Sequence, residues 1–535
     1  MKTRYKALLA GILCLAGACN TDKFLDVNTN PNAPQDVSAN LYLPPMIHWM
    51  ITAPQYDGRF VGHYAQEWVS TSTATTSPWL SWGKMGHDAG TVAVGAVDNG
   101  AEQWRDVYWS LGQNLVDMNT KAEKEQRWDL LGVGQILKAW GWQALADLHG
   151  EIVVKEAIDQ TKFSFAYDSQ EVAYAETRRL LGEAIKNLQR TDGAVDATYL
   201  GRTDKLFNGD RTRWLKLAYG MMALNLSHYS NKSTYNPTEI IANVDKSFTG
   251  NADEALFAYA NASTDNTDRN FSGTTRGNYP AYRQTQFIVG LMNGSQLGVV
   301  DPRMANMLVP DSLGTSYTGL NINILGFNGA AAPLQPRNPY GYVATPASGS
   351  AGHYLFSDKV KFPVMTYAQL QFIKAEAAYR SGDKATALGA YRAGITSHFA
   401  FVNARNGEDG FRSAQITTAQ RDAYLNDPLI SPPAASLTLT QIMSQKYIAQ
   451  WSWAHGEIWM DLRRYHYTDV DPASGKQVFP GFAIPTALYV DNNGKPVQRM
   501  RPRFNSEYVW NRDGLQTIGG LAVDYHTKPL WITQP

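Results

Sequence analysis

The chain has 535 residues, 44% apolar and 18% charged, with 48 basic against 48 acidic side chains. That composition is of a folded globular protein with a sizeable core and excludes a disordered or fibrous one. Charge this evenly balanced offers no field for a phosphate backbone, so nucleic acid is excluded as a partner.

In chain order, the first signal is Lys2, Arg4 and Lys6, followed by an apolar run from Ala7 to Leu15 and then Ala16-Gly17-Ala18-Cys19. A basic start, a short apolar stretch and small residues before a cleavage point make a secretory signal peptide over 1–18. The run is too short for a bilayer span, which takes about 20 apolar residues. The four residues resemble a bacterial lipobox, with Cys19 as the first mature residue and the site of lipid attachment by palmitate. Ala16 departs from the Leu common three positions before that cysteine. Cys14 and Cys19 are the two cysteines of the chain. Cleavage removes one and acylation blocks the other, so neither disulfides nor thiol catalysis nor zinc–thiolate sites remain. The mature domain is expected to run from 19 to 535.

Phe24 to Asn32 is an Asn- and Pro-containing turn segment, and Ser70–Ser77 (STSTATTS) is a polar, low-complexity stretch leading into Pro78-Trp79-Leu80-Ser81-Trp82-Gly83. Helices follow. From Trp128 to His149 the apolar residues Val133, Ile136, Leu137, Trp140, Ala144, Leu145 and Leu148 recur at three- and four-residue spacing, the period of one buried helix face. Gly132-Val133-Gly134 lies within this pattern and lacks the third glycine of a dinucleotide fingerprint. The spacing predicts further helices over Ser169–Leu188, with Ser169 as N-cap, and Trp214–Tyr229. A pair over Tyr367–Tyr379 and Lys384–His398 is broken at Ser381-Gly382-Asp383. Another runs over Leu439–Trp453 and on through Ile458 to Arg464. Small Ala375, Ala378 and Ala387 alternating with Tyr379 and Tyr391 give the 367–398 pair the texture of a tetratricopeptide hairpin, without a regular 34-residue period. The stretches 258–365 and 400–438 and the tail from 465 are rich in Gly, Pro, Asn and Ser. They are read as long irregular insertions with short strands, the kind of segment that carries function. The fold class expected is mainly α: helical hairpins in a single domain with long loop insertions.

Several segments together resemble the SusD/RagB outer-membrane lipoproteins, the second SusD-like subgroup in particular. They are Phe24–Asn28 with Asn30-Pro31-Asn32; Ala146–Ile152 with Glu156-Ala157 and Tyr167–Glu171; Gly209-Asp210 with Trp214 and Lys216; Asp301-Pro302-Arg303; Gln445–Ala449 with Glu457, Trp459, Asp461, Arg463 and Arg464; and Arg501–Phe504 with Lys528–Trp531. His149, Glu151, Val153 and Val154 depart from the Tyr-Gly-Asp-Ile/Val-Pro-Tyr sequence usual at the second segment. The resemblance implies a lid over a TonB-dependent (SusC-like) transporter, anchored in the outer membrane and facing the cell exterior, with ligand held between lid and barrel. It implies glycan import, or for some members peptide import. Glu457, Trp459, Arg463 and Arg464 are expected to form a buried ion network.

Sugar binding needs flat aromatic faces with polar groups beside them. The candidates in polar loops are Trp79 and Trp82; Tyr279, Tyr282 and Arg283; and Arg337, Asn338, Tyr340 and Tyr342, weighed against a simple packing role for each. Enzyme motifs are missing: there is no His-Glu-x-x-His, no Gly-x-Ser-x-Gly and no phosphate-binding Gly-x4-Gly-Lys-Ser/Thr. His63 and Glu67, four apart, read as a surface pair, and Asp469-x-Asp471 before Gly475 as a turn and not a calcium loop. The expectation is a non-catalytic glycan-binding lipoprotein without cofactor or metal. Alternatives are a peptide-binding lipoprotein of the same type, a secreted glycoside hydrolase whose two carboxylates are hidden among many, and a helical scaffold with no small ligand.

Overall fold

The structure, a computed structural model, describes residues 37–71, 82–83, 100–260, 266–324, 326–408, 410–411 and 413–535. The signal peptide, Cys19, the turn segment at 24–32 and Trp79 lie outside the described residues.

In chain order the elements are α1 (Leu43–Tyr64), β1 (Trp68–Ser70), α2 (Glu102–Arg105), a π-helical stretch (Asp106–Leu111), α3 (Gly112–Lys124), α4 (Trp128–His149), α5 (Gln170–Gln189), α6 (Ala197–Gly201), α7 (Arg211–Ser227) and α8 (Pro237–Asp245). Next come β2 (Ala255–Ala258), β3 (Tyr282–Gln284), α9 (Gln286–Met292), α10 (Met304–Met307), β4 (Lys361–Met365), α11 (Tyr367–Arg380), α12 (Lys384–Asn406) and α13 (Thr418–Asn426). The chain closes with α14 (Leu439–Gln450), α15 (His455–Arg464), a second π-helical stretch (Phe504–Tyr508) and α16 (Arg512–Thr517).

The hairpins stack in sequence order: α4 packs on α5, α5 on α7, α7 on α8, α8 on α11 and α11 on α12. This is the nearest-neighbour logic of a helical repeat, in which each pair buries its apolar face on the next. Caps mark the starts. Ser169 accepts from Val172 N, Asp210 from Thr212 N and Arg213 N, and Asp383 from Thr386 N. Small residues set the spacing. A Cβ on Gly394 would lie 2.9 Å from the Phe372 ring, and one on Gly132 2.7 Å from Leu188 Cγ, so these glycines are where α11 meets α12 and α4 meets α5. Gly382, with φ +86°, turns α11 into α12.

Several elements escape the sequence reading, among them α1, α2, α3 and α8. α1 begins with Pro44 and Pro45, harmless in a first turn that has no N–H to satisfy, and holds Pro54 inside. It packs on α15 across Gly58, where a Cβ would meet the His455 ring at 2.0 Å. Asp57 of α1 also caps α2, its carboxylate accepting from Glu102 N and Gln103 N, both at 2.9 Å. Ala101, which precedes α2, has no side chain to do this.

The insertions carry two small antiparallel sheets, β1 with β3 and β2 with β4. In the first, Trp68 pairs with Gln284, Val69 with Arg283 and Ser70 with Tyr282. The Asp471 segment is a turn, as expected, closed by a bridge between Val470 and Gln477. The 400–438 stretch is less irregular than its composition suggests: α12 runs on to Asn406, and α13 is fixed by a Thr417–Gln420 capping box. No helix among the described residues is long and apolar enough to cross a membrane.

Candidate functional site

The insertion between α8 and α11 folds back on α1 and forms a face around the β1–β3 ladder. At its centre stands Arg283, 4% exposed. Its guanidinium donates to four main-chain carbonyls: Pro336 (2.8 Å), Pro280 (2.7 Å), Tyr282 (2.8 Å) and Val343 (3.2 Å). Burial lowers its pKa to about 10. Beside it, Tyr279 OH donates to Gln55 O (3.0 Å), Tyr340 OH accepts from Tyr279 N (2.8 Å), and the Tyr282 ring meets His63 edge-on at 5.3 Å. Asn338 donates through Nδ2 to Ala344 O and accepts through Oδ1 from Tyr342 N, closing the 338–344 turn.

These positions correct the sequence expectation. Trp82, Tyr279, Tyr282, Arg283, Asn338 and Tyr340 are buried, and all but Trp82 form the frame of the face. Trp82 packs between Tyr64, Tyr467 and Phe482. The reason is that the rings of the insertion reach the main core of the molecule, Tyr279 packing on Trp68 and Phe356 and Tyr340 on Phe356, so they find apolar partners before they find solvent. Arg337 and Tyr342 are half-buried. Arg337 donates to Ser312 O at 3.3 Å, and the Tyr342 ring lies 5.5 Å from Phe411, itself 43% exposed. Trp79 lies outside the described residues.

Sequence reasoning missed Tyr56 and Arg59. Both are half-buried on α1 beneath this face. The Arg59 guanidinium sits 4.2 Å from the Tyr56 ring centroid and 5.3 Å from that of Phe271, and donates to Asn278 Oδ1 at 3.4 Å. Burial raises the Tyr56 pKa, and the Arg59 charge opposes that rise. A Tyr and an Arg three apart share a helix face, a signal visible only once α1 is known to be a helix. An arginine stacked on rings, with amide and phenol groups beside it, can hold a hydroxyl-rich ligand by stacking and hydrogen bonding.

The ion network expected around α15 is present and is structural. Lys446 pairs with Glu457 (3.0 Å) and Asp461 (2.8 Å), and Arg464 with Glu376 (2.8 Å) and Asp461 (2.5 Å), all buried or nearly so. Arg463 takes a different role, stacking 3.8 Å over Trp459 and donating to Gln498 O. Arg303 does for the insertion what Arg464 does for α15: it pairs with Asp301 and donates to His398 Nδ1 and Gln445 Oε1. The His63–Glu67 expectation is corrected too. Both are buried, and Glu67 accepts from His455 Nδ1 at 2.7 Å instead.

Among the described residues, Asp147, His228 and Glu457 are the group that could hold a metal ion. The imidazole already lies between the two carboxylates, with Nε2 2.8 Å from Glu457 and Nδ1 3.5 Å from Asp147. Burial alone would lower its pKa, but the two carboxylates outweigh burial and raise it to about 9. A protonated imidazole takes the place a cation would occupy.

A stack of helical hairpins bearing a framed aromatic–arginine face defines a ligand-binding scaffold of the tetratricopeptide type. The chain belongs to the SusD-like family whose model, described as "Starch-binding associating with outer membrane", matches residues 32–487. Among solved structures it is similar to a SusD/RagB family protein from Bacteroides thetaiotaomicron (19% identity, TM-score 0.65, 93% of this chain and 99% of that one). It is also similar to a SusD homologue from Bacteroides fragilis (17%, TM-score 0.69, 93% and 100%) and to a chitin-binding SusD homologue from Flavobacterium johnsoniae (18%, TM-score 0.66, 92% and 98%). No curated protein matches the chain. The family is one of outer-membrane-associated binding proteins.

Proposed function

We propose that this protein is a lipoprotein, cleaved after Ala18 and acylated at Cys19, that captures oligosaccharides at the cell surface and passes them to a TonB-dependent transporter. The family match over 32–487 carries this reading, and the likeness to a chitin-binding homologue supports it. Trp79, Tyr342 and Arg337 contact the sugar, with Tyr56 and Arg59 beneath them. Tyr279, Tyr282, Arg283, Asn338 and Tyr340 hold that face in shape, and Trp82 packs in the core beside α1. Binding without turnover is the reading that the family, described by starch binding, supports.

Calorimetry of the unlipidated mature protein against neutral polysaccharides and peptides tests the reading. A saturable glycan isotherm that weakens at least about tenfold, or about 1.4 kcal/mol, in Trp79→Ala, Arg59→Ala or Tyr342→Ala is expected. Peptide binding alone, or release of new reducing ends with time, would overturn it.

A further inference from the structure

A second cleft of about 960 Å³ opens on a part of the molecule that shares no residue with the β1–β3 face. Its size is that of pockets that enclose small ligands, about 300–1,000 Å³. One wall is the helical run from α2 into α3, which presents Trp104, Tyr108 and Trp109. Facing it are Phe165, from the loop after α4, and Ser506, Glu507 and Asn511 near the C-terminus.

Two features set this cleft apart. Both π-helical stretches found among the described residues line it: Asp106–Leu111 supplies Tyr108 and Trp109, and Phe504–Tyr508 supplies Ser506 and Glu507. A π-turn is a rare departure from the α-helix that is frequent at functional sites. The first one carries Trp109, whose neighbour Tyr108 is turned inward to donate to Val153 O while Trp109 stays 71% exposed. The flanking loops add two more exposed rings, Phe163 at 93% and Trp510 at 78%.

The polar groups around Trp109 are fixed. Arg105 lies between the Trp49 and Trp109 rings, 5.3 and 5.2 Å from their centroids, and pairs with Glu102 at 2.6 Å. Glu507 accepts from Tyr167 OH (2.7 Å) and Asn511 Nδ2 (2.9 Å), and Asn511 Oδ1 accepts from Phe165 N (2.8 Å). Two polar atoms of cleft residues, Arg105 Nε and Ser506 Oγ, are buried with no hydrogen-bond partner. Cationic Arg105, Lys162 and Arg503 are interspersed with anionic Asp159 and Glu507, so no single-sign field favours a polyanion.

We infer that this cleft is a second carbohydrate site, taking a short neutral oligosaccharide with one pyranose ring stacked on Trp109 and its hydroxyls exchanged with the Arg105, Ser506 and Glu507 groups. An exposed indole braced by an arginine suits a sugar's C–H face, and fixed donors and acceptors side by side suit hydroxyls, which are both. The site stands on its own geometry and does not depend on how the β1–β3 face binds.

A microarray of neutral and acidic glycans probed with the unlipidated mature protein, followed by calorimetry on the hits, tests it with Trp109→Ala and Trp109→Phe. Unchanged thermal unfolding of both variants is the control for folding. At least one neutral glycan is expected to lose about tenfold in affinity, about 1.4 kcal/mol, in Trp109→Ala and to recover most of it in Trp109→Phe. That loss should be absent from Arg59→Ala, which reports on the other face. Four outcomes overturn the inference: no glycan affected by Trp109→Ala, an effect confined to acidic glycans or peptides, loss of transporter association with glycan binding intact, or no glycan hit for the unmodified protein.

Discussion

His228 carries the clearest pH signature among single residues. Its folded pKa, raised to about 9, stands above the ordinary histidine value of about 6.5, so its contribution to stability is complete below pH ~6.5 and disappears as pH rises through ~9. The shift corresponds to roughly 3 kcal/mol. Urea unfolding between pH 6 and 9.5 is expected to show this decline, and His228→Gln to flatten it while lowering stability at pH 6. Arg464 makes a complementary case. It is buried with Glu376 and Asp461, and removing one partner of such a set leaves charge buried without compensation. Arg464→Leu is expected to cost about 3–5 kcal/mol, seen as a lower urea midpoint. A double replacement of Arg464 and Glu376 by apolar residues should cost less than the two single changes added together.

Between elements, the α1–α15 crossing is a tight contact with a single-residue test. His455 is held by Glu67 and cannot swing away freely from Gly58. Gly58→Ala is therefore expected to destabilise by about 1–3 kcal/mol despite the better helix propensity of alanine. The helical hairpins themselves were readable because each obeys one period from cap to turn: Trp128–His149 is found at the predicted bounds, and Tyr367–Arg380 within one residue. α1 was hidden by its three prolines. The run from α2 into α3 was not read, although Trp104, Val107, Leu111, Leu115 and Met118 are buried at three- and four-residue spacing. The binding residues were harder. Composition places aromatic rings in loops but does not say on which side of the loop they lie, so Tyr279 and Tyr340, which join the main core, could not be told from half-buried Tyr342.

For the molecule as a whole, the proposed anchor at Cys19 and the proposed binding face belong to separate parts of the chain. Cys19→Ala is expected to move the protein from the membrane to the soluble fraction without changing glycan affinity measured by calorimetry. A variant that still sediments with membranes would mean that acylation at Cys19 is not the anchor. The family and its helical architecture were legible because the motifs that carry the resemblance, such as Asp301-Pro302-Arg303 and Lys446 with Glu457 and Asp461, are internal braces of this fold. The ligand was not, because nothing in the packing depends on it.

Arg283 gives that separation a longer reach. Each of its four bonds ends on a main-chain carbonyl, and a carbonyl is the same whatever side chain its residue bears. The residues at 280, 336 and 343 can therefore change while their loops stay tied at the same points. A lineage can exchange the outward residues of this face, one diet for another, and keep the frame beneath it unaltered.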